Sequence, residues 1–227
     1  MCPGTGSWRG FCENYETDLV NIPKMAEYGY KYGAEGVLNT NWGDWGNPCS
    51  IELAMFGLVL GAEKSWNVFT EIDDTYFESV NKLVYKKNDA TEYISRLSGC
   101  CTKISWGLFA SCYANILTDK QAYNIEFTSQ EDILFAINEC KSIIASVNNE
   151  VWTEERFKKQ ILLSAEAIII MAENIAVLAG YDVNIESDTA AWVKKHRKAW
   201  LEQNKESELG EIEKVFLTIN NKIKGDY

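Results

Sequence analysis

Two short loops of this chain carry residue types that proteins use to bind carbohydrates. The stretch from Gly36 to Asn47 presents Trp42, Asp44 and Trp45 on a loop with two glycines. An indole ring covers the apolar face of a pyranose, and a carboxylate accepts hydrogen bonds from its hydroxyls. A structural turn with packed tryptophans has the same composition, so this stretch alone leaves both interpretations open.

The second loop follows residues 1–3 at the start of the sequence. Residues 1–3 and 36–41 both predict β-strands. Parallel strands place their carboxyl ends at one edge of a sheet, which is where α/β proteins bind ligands. The candidate binding residues are therefore Thr5, Ser7, Trp8, Asn41, Trp42, Asp44 and Trp45. The alternative is that these side chains only close the end of the sheet.

Other side chains that could do chemistry give weaker signals. His196 is the one histidine and lies in a run of four cationic residues, which predicts a solvated helix face rather than a catalytic base. The seven cysteines have no Cys-x-x-Cys spacing and are predicted to be buried apolar residues. The acidic segment 71–74 precedes a predicted helix and indicates a cap rather than a cation site. We expect no catalytic residue, no metal and no cofactor in this chain.

The composition limits the classes of partner. The 33 acidic and 22 basic side chains give a formal net charge of -11, which argues against a nucleic-acid backbone or an anionic membrane surface. The longest apolar segment, residues 165–179, is interrupted by Glu166, Glu173 and Asn174 and is too short for a membrane span. An odd number of irregularly spaced cysteines favours a reducing compartment, and we expect a cytoplasmic protein.

Turn residues and apolar periodicity divide the chain into a βα part, residues 1–68, and a helical part, residues 69–227. In the βα part, helices over 17–32 and 50–67 alternate with the two strands, which implies parallel strands covered on both faces. The helical part shows only helical periodicity. Its predicted helices cover residues 74–87, 90–101, 104–117, 130–149, 154–180, 188–204 and 207–224. The predicted fold is an α/β unit (βαβα) followed by an all-α helical bundle, mostly α overall.

The longest predicted helix, over residues 154–180, is expected to lie at the centre of the bundle. Lys159, Glu166 and Glu173 recur every seven residues on its otherwise apolar surface. A narrow polar stripe of this kind is expected to face water.

The strand ends resemble part of a known enzyme family. The segments Pro3 to Trp8, Gly33 to Asp44 and Ala62 to Asn67 are similar to the last two βα units of glycoside hydrolase family 20. Members of that family are β-N-acetylhexosaminidases built on a (β/α)8 barrel, some with a helical C-terminal domain. The resemblance implies that the βα part is the end of a TIM barrel and that the helical part is such a C-terminal domain.

The resemblance also implies roles for individual residues. Trp42 is similar to the tryptophan that walls the pocket of the terminal sugar, and Asp44 to the acid that binds its hydroxyls. Trp8 resembles the aromatic residue that follows the seventh strand, whereas Asn41 stands where aspartate is common. The implied partner of the parent enzyme is a glycan that contains N-acetylhexosamine.

This chain resembles a part of the family's barrel that does not include the catalytic pair. An aspartate orients the substrate's acetamido group and a glutamate protonates the leaving oxygen, and both follow the fourth strand of the barrel. The leading hypothesis is therefore a C-terminal portion of a family-20-like hexosaminidase, with Met1 an internal methionine. Such a portion supplies one wall of the sugar pocket and does not hydrolyse glycosides alone.

Two other hypotheses stay open at the level of sequence. Two strands leave edges and apolar faces exposed, which fits a noncatalytic helical interaction or carbohydrate-binding module that self-associates or binds a complementary chain. An enzyme that uses His196 or a cysteine is the weakest hypothesis, because the sequence offers no orienting triad.

Overall fold

The structure is a computed structural model that describes residues 1–44, 46–118 and 128–225. Its elements in chain order are β1 (Gly4–Thr5), α1 (Tyr15–Lys31), β2 (Thr40–Asn41), α2 (Ile51–Trp66), α3 (Asp74–Val80), α4 (Ala90–Lys103), α5 (Trp106–Leu117), α6 (Gln130–Asn149), α7 (Glu155–Ala179), α8 (Thr189–Leu201) and α9 (Leu209–Lys224). A 3-10 turn covers Gly6–Arg9, and a π-helical turn over Asn81–Tyr85 extends α3. Within the described ranges the chain is mostly helical, as predicted, and strand occurs only at β1 and β2.

Side-chain caps fix where several helices begin. Asp73 Oδ1 accepts a hydrogen bond from Tyr76 N at 3.0 Å, which confirms the cap predicted before α3. Ser105 Oγ accepts one from Leu108 N at 3.1 Å before α5. Each bond satisfies a donor that the helix N-terminus leaves without an intrahelical partner. Comparable caps at α1, α6 and α8 are formed by Asn14, Ser129 and Asp188.

The two strands are parallel neighbours, as predicted. Gly4 pairs with Thr40 and Thr5 pairs with Asn41. The contact extends toward the amino ends of both strands, because Leu38 N donates a hydrogen bond to the Met1 carbonyl oxygen at 2.9 Å. The carboxyl ends of β1 and β2 therefore lie side by side, and the loops that carry the candidate residues leave from the same edge.

Helices α1 and α2 both pack on one face of this small sheet. Asn21 of α1 donates a hydrogen bond to the Gly4 carbonyl oxygen at 3.2 Å, and Asn39 donates one to the Gly57 carbonyl oxygen of α2 at 3.0 Å. The other face carries Leu38, which is 64% exposed. The prediction that the strands are covered on both faces is therefore wrong for the described residues, because both helices pack on the same side.

Two glycines let α2 lie close to the strands. A Cβ atom on Gly61 would lie 1.9 Å from Asn39 Nδ2, and one on Gly57 would lie 2.7 Å from Asp18 Oδ2. These distances are far below van der Waals contact, so a side chain at either position would displace its neighbour. The absence of a Cβ atom is what allows α2 to approach β2 and α1 this closely.

One hydrophobic core runs through the βα part and the helical part. Phe11, in the loop after β1, makes edge-to-face contacts with Trp106, Trp192 and Phe216, with ring centroids 5.7, 5.7 and 5.8 Å away. Ser164 of α7 donates a hydrogen bond to the Phe11 carbonyl oxygen at 2.9 Å. A loop of the βα part thus fills a space between helices of the helical part.

Helix α7 lies at the centre of this core, as predicted. By length and composition alone the whole helix is long and apolar enough to cross a membrane, which corrects the expectation drawn from residues 165–179. Most of its side chains are buried against other elements of the fold, which is the usual environment of a core helix.

The polar stripe of α7 faces water only in part, because Lys159 and Glu166 are partly exposed whereas Glu173 is buried, which corrects the prediction at Glu173. Lys159 pairs with Glu202 at 2.6 Å, and Glu166 pairs with Lys195 of α8 at 2.9 Å. Glu173 is only 2% exposed, and its carboxylate accepts hydrogen bonds from two backbone N–H groups of the loop before α8 (3.3 and 3.1 Å). The stripe therefore anchors α8 and the loop that leads into it.

Candidate functional site

Hydroxyl and amide side chains join the carboxyl ends of the two strands. Thr5 Oγ1 donates a hydrogen bond to Asn41 Oδ1 at 3.1 Å, and Ser7 Oγ contacts the same oxygen. Ser7 Oγ also lies 3.0 Å from the carbonyl oxygen of Trp42. Because Thr5 and Ser7 are buried, these two candidate residues hold the loops together rather than present hydroxyls to a ligand.

The indoles of Trp8 and Trp42 lie next to each other above Gly4. A Cβ atom on Gly4 would lie 3.4 Å from Trp8 Cζ3 and 3.8 Å from Trp42 Cδ1. Trp42 Nε1 donates a hydrogen bond to Thr40 Oγ1 at 2.9 Å, while 58% of Trp42 stays exposed. The ring is thus held at its nitrogen and keeps most of its surface in contact with solvent, as a stacking platform for a ligand requires.

Trp8 and Asp44 line one cavity of about 420 Å³, here called the strand-end cavity. Helices α4 and α5 supply its opposite wall through Ser98, Thr102 and Trp106. The volume is in the range of small-molecule pockets, roughly 300–1,000 Å³. The candidate site therefore lies between the two parts of the chain, with the predicted loops on one side only.

The structure brings together three of the four residues predicted to bind substrate. Trp8 and Asp44 share the strand-end cavity, Trp42 lies next to Trp8, and Trp45 lies outside the described residues. Sequence reasoning missed the wall supplied by α4 and α5. The helical periodicity over residues 104–117 predicts α5 but does not indicate which surface its first turn contacts.

Most polar side chains around the strand-end cavity already serve the fold. Asn14 and Ser105 cap α1 and α5, and Ser98 Oγ accepts a hydrogen bond from Tyr15 N at 2.9 Å. Asp44 is exposed and is the one carboxylate among the described residues that line the cavity. The arrangement offers an indole surface and a charged acceptor, which suits a neutral hydroxylated ligand. Hydrolysis of a glycoside generally needs a pair of carboxyl groups flanking the bond.

A pair of buried carboxyl groups lies beneath the strand ends and was not predicted. Glu13 and Asp18 are both fully buried. Glu13 Oε2 accepts a hydrogen bond from Gly57 N at 3.0 Å, and Asp18 Oδ1 accepts one from Gly6 N at 2.8 Å. The other oxygen of each carboxyl group has no donor among the described residues. The two side chains are within hydrogen-bond reach of each other, so a protonated member of the pair can donate to the other.

Burial is the main influence on both of these acids. It raises the pKa of Asp18 to about 7, against the opposing effect of the hydrogen bonds from Gly6 and Glu13. Burial and then the negative charge of Asp18 raise the pKa of Glu13 well above its usual range. Neither group lines the strand-end cavity, so the pair ties α1, α2 and the loop after β1 together and does not touch a ligand there.

His196 is buried, which corrects the prediction of a solvated helix face. It is 7% exposed and lies between Trp192 and Trp200, with ring centroids 4.8 and 5.9 Å away. Its cationic neighbours along the chain are exposed. The spacing of four residues on either side of His196 places the three rings on one helix face and was the signal available in the sequence. Burial lowers the pKa of His196 to about 4, so the imidazole is neutral near pH 7.

The cysteines are mostly buried thiols, as predicted. All seven are free and only Cys2 is exposed. Burial raises the pKa of Cys101 to about 12 and that of Cys112 to about 11, which disfavours the nucleophilic thiolate. Over the described ranges, no group of three or more His, Cys, Asp or Glu side chains is arranged to hold a metal ion.

Comparison with known proteins found no matching family model, no matching curated protein and no matching solved structure. The resemblance to glycoside hydrolase family 20 therefore stays a prediction from the residues quoted for it.

Proposed function

We propose that this chain binds the terminal sugar of a glycan at the strand-end cavity and that it is the C-terminal part of a family-20-like β-N-acetylhexosaminidase. The observation that carries the proposal is the meeting of Trp8, Trp42 and Asp44 at one edge of the sheet. Trp42 is largely exposed and Asp44 is exposed, so both are available to a ligand. An indole for the apolar face of a sugar and a carboxylate for its hydroxyls form a sufficient minimal site.

The one-sided cover of the sheet supports the barrel part of this proposal. In a (β/α)8 barrel, the helices lie outside and the other face of each strand points into the barrel interior. Here α1 and α2 share one face, and the opposite face carries Gly4, Leu38, Thr40 and Trp42. In the described chain each strand has one edge without a strand neighbour. Further parallel strands at those edges would complete both the barrel and the sugar pocket.

The proposal assigns binding but not hydrolysis to this chain alone. Asp44 is the one carboxylate among the described residues of the cavity, and the Glu13–Asp18 pair lies beneath it with both groups fully buried. A glycosidase of this class needs an acid that reaches the leaving oxygen and a group that orients the acetamido substituent. Both functions fall to the upstream βα units of the parent enzyme.

Calorimetric titration of the 227-residue chain with N-acetylglucosamine tests the proposal. We expect saturable binding that Asp44→Asn weakens by about tenfold or more, since a hydrogen bond to a charged group contributes about 1.5–3 kcal/mol. Trp42→Ala should weaken binding through lost stacking. Trp66→Ala is the matched control, because Trp66 is also an exposed tryptophan (91%) but lies at the end of α2 rather than beside Trp8 at the strand ends.

Three results would contradict the proposal. If neither Asp44→Asn nor Trp42→Ala changes the dissociation constant, the sugar does not bind at this site. A complete lack of saturable binding would also contradict the proposal. Release of a chromophore from a chromogenic N-acetylglucosaminide by the isolated chain would refute the division of labour between binding and hydrolysis.

Exposed aromatic side chains favour a second candidate, a noncatalytic module that self-associates. Tyr30 and Phe69 are 69% and 70% exposed and contact each other with ring centroids 5.1 Å apart. Trp66, at the end of α2, is 91% exposed. Large apolar groups that cluster on a surface are typical of interaction sites. A monomeric state at all concentrations in analytical ultracentrifugation would exclude this candidate, and a concentration-dependent dimer that Trp66→Ser disrupts would support it.

A further inference from the structure

A second cavity of about 200 Å³ lies on the other side of the β2 loop, between that loop, α7 and α8. We call it the His196 cavity. Its lining includes Ser50 from the start of α2, Gln160 from α7, and His196, Trp200 and Gln203 from α8 and the turn after it. None of these residues lines the strand-end cavity, so the two cavities are separate sites.

Three polar atoms at this cavity are buried without a hydrogen-bond partner among the described residues. They are Ser50 Oγ, His196 Nδ1 and Gln203 Nε2. Burying a hydroxyl, an imidazole nitrogen or an amide without a partner costs about 1–3 kcal/mol each. The residues that carry these atoms line the same cavity, so a single occupant that the three side chains turn toward would provide all the missing partners.

The backbone position of Ser50 shows what its hydroxyl does not do in this fold. It occupies the N-cap position of α2 with an extended backbone (φ -67°, ψ 154°), where a serine hydroxyl ordinarily accepts a hydrogen bond from the first turn. Its side chain makes no such bond in the described structure. By contrast, Ser105 and Ser129 occupy the same position before α5 and α6 and do cap their helices. The Ser50 hydroxyl is thus left free to bond to something in the cavity.

The lining indicates the charge of that occupant. The described residues around the cavity include no Lys, Arg, Asp or Glu. The low pKa of His196 keeps its imidazole neutral near pH 7. Amides such as those of Gln160 and Gln203 both donate and accept hydrogen bonds, as hydroxyl groups do. An anionic ligand would meet no cation here and would also be repelled by the net charge of -11.

The size and shape of the cavity limit the occupant further. A volume of about 200 Å³ is below that of drug-sized pockets, roughly 300–1,000 Å³. The Trp200 indole forms part of the wall, and its Nε1 is held by the Lys205 carbonyl oxygen at 2.7 Å. A fixed aromatic wall with hydroxyl and amide groups around it suits a single ring that carries several hydroxyls.

We propose that the His196 cavity binds a small, neutral, polyhydroxylated molecule of the size of one sugar ring, through Ser50, His196 and Gln203. This site is independent of the strand-end cavity and of the function proposed for it. The competing occupant is water, since six or seven water molecules at about 30 Å³ each would fill the same volume.

Nuclear magnetic resonance titration of the full chain with D-glucose and with myo-inositol tests the proposal. The chain has one histidine, so its imidazole resonances are assigned without ambiguity. We expect saturable shifts of the His196 imidazole and the Gln203 amide with at least one probe. Water as the occupant predicts no saturable shift with either probe, and that result would overturn the proposal. D-glucuronate carries a negative charge. If it binds as tightly as the neutral probes, the inference that the ligand is neutral is wrong.

Matched variants assign the binding to these side chains. Ser50→Ala and Gln203→Leu should each raise the dissociation constant about tenfold, since each removes one hydrogen bond to the ligand. Ser50→Ala should leave the melting temperature unchanged or higher, because it removes a buried hydroxyl without a partner. Ser105→Ala is the control and should lower the melting temperature by a few degrees, since it removes a working cap.

One further variant separates this proposal from the function proposed above. Asp44→Asn should leave the shifts at His196 unchanged. If Asp44→Asn abolishes them, the probe binds at the strand-end cavity and the His196 cavity is not the site. If Ser50→Ala and Gln203→Leu leave the dissociation constant unchanged, the proposal also fails, whatever the outcome of titration with N-acetylglucosamine.

Discussion

The imidazole of His196 stacks on the indole of Trp192, with ring centroids 4.8 Å apart and ring planes inclined by 20°. Phe11 contacts the same imidazole edge to face from the βα part, with centroids 6.2 Å apart. If this imidazole were protonated, it would be a buried cation. The groups that enclose it are aromatic rings, and none of them is a carboxylate that could pair with it. The stacking therefore links the stability of the fold to the protonation of one side chain.

Stability should fall as the pH is lowered from 6.5 toward 4 because of His196. Its pKa is lowered by burial from 6.5 to about 4 in the folded chain. In this window the unfolded chain binds the proton and the folded chain does not, so protonation favours unfolding. The contribution is fully present above the unfolded pKa and is lost as the pH falls to the folded pKa, a change of about 3 kcal/mol.

Two measurements check this expectation. The shift of the His196 Cε1 proton against pH should show a midpoint near 4, and a midpoint at an ordinary value near 6.5 would contradict it. In His196→Gln, which does not titrate, the free energy of unfolding should lose this part of its pH dependence. The titration of His196 in the parent chain remains a valid test even if His196→Gln folds poorly.

The Glu13–Asp18 pair should produce a pH dependence of the opposite sign. Burial raises the pKa of Asp18 from 3.8 to about 7. Between these values the folded chain holds a proton that the unfolded chain has released, so raising the pH favours unfolding. The stabilisation is complete below the unfolded pKa and disappears as the pH rises through about 7.

Asp18→Asn isolates the effect of the pair. An amide keeps the acceptor for Gly6 N and can donate a hydrogen bond to Glu13 without a shared proton. Chemical denaturation should show that the variant gains stability relative to the parent chain as the pH rises from 4 to 7. A difference between the two chains that stays constant over this range would contradict a proton held by the pair.

Two glycine substitutions should have opposite effects. Gly61→Ala places a methyl group where Asn39 lies against α2 and should destabilise the fold by about 1–3 kcal/mol. Gly99→Ala, in α4, meets nothing within 4 Å and should stabilise it by about 0.5–1 kcal/mol through helix propensity. The free energy of unfolding from denaturant titration decides both, and equal effects of the two variants would refute the close approach at Gly61.

Glu173 should contribute more to stability than Glu166, one heptad earlier on α7. Glu173→Ala removes the acceptor for two backbone N–H groups in the loop before α8 and should cost about 2 kcal/mol. Glu166→Ala removes a partly exposed ion pair with Lys195 and should cost less than about 1 kcal/mol. Thermal unfolding of both variants compares them directly, and a larger loss for Glu166→Ala would contradict this assignment.

Local chemistry made much of the secondary structure predictable from the sequence. Asp73 before α3 is a short acceptor at a helix start, and it caps as expected because the bond to Tyr76 N involves only neighbouring residues. The parallel arrangement of the strands followed from two successive βα units. Their positions did not, because β1 covers Gly4–Thr5, in the predicted loop, and not residues 1–3. With the π-helical turn counted as part of α3, the predicted helix ends agree with the structure to within three residues.

The sequence held a local signal for the burial of His196, but none for the long-range contacts of Glu173 or of the strand-end cavity. The rule that charged runs face water is sound for Lys195 and Arg197, yet His196 between them packs inward because the ring positions at 192 and 200 define the buried face. Glu173 is covered by a loop whose path depends on α8. Likewise, only the packing of α4 and α5 against the strand ends shows that Ser98 and Trp106 form a wall of the strand-end cavity.

Phe11 couples the βα part to the helical part, although the two parts are separate segments of the sequence. Its ring sits among Trp106, Trp192 and Phe216, and its carbonyl oxygen is held by Ser164. Withdrawing the βα part would leave an unfilled volume the size of a benzyl group in the middle of the bundle. Removing a buried phenylalanine side chain ordinarily costs about 3–5 kcal/mol. Cleavage of the chain between α2 and α3 would therefore leave two fragments that stay associated, as in a protein nicked at a surface loop.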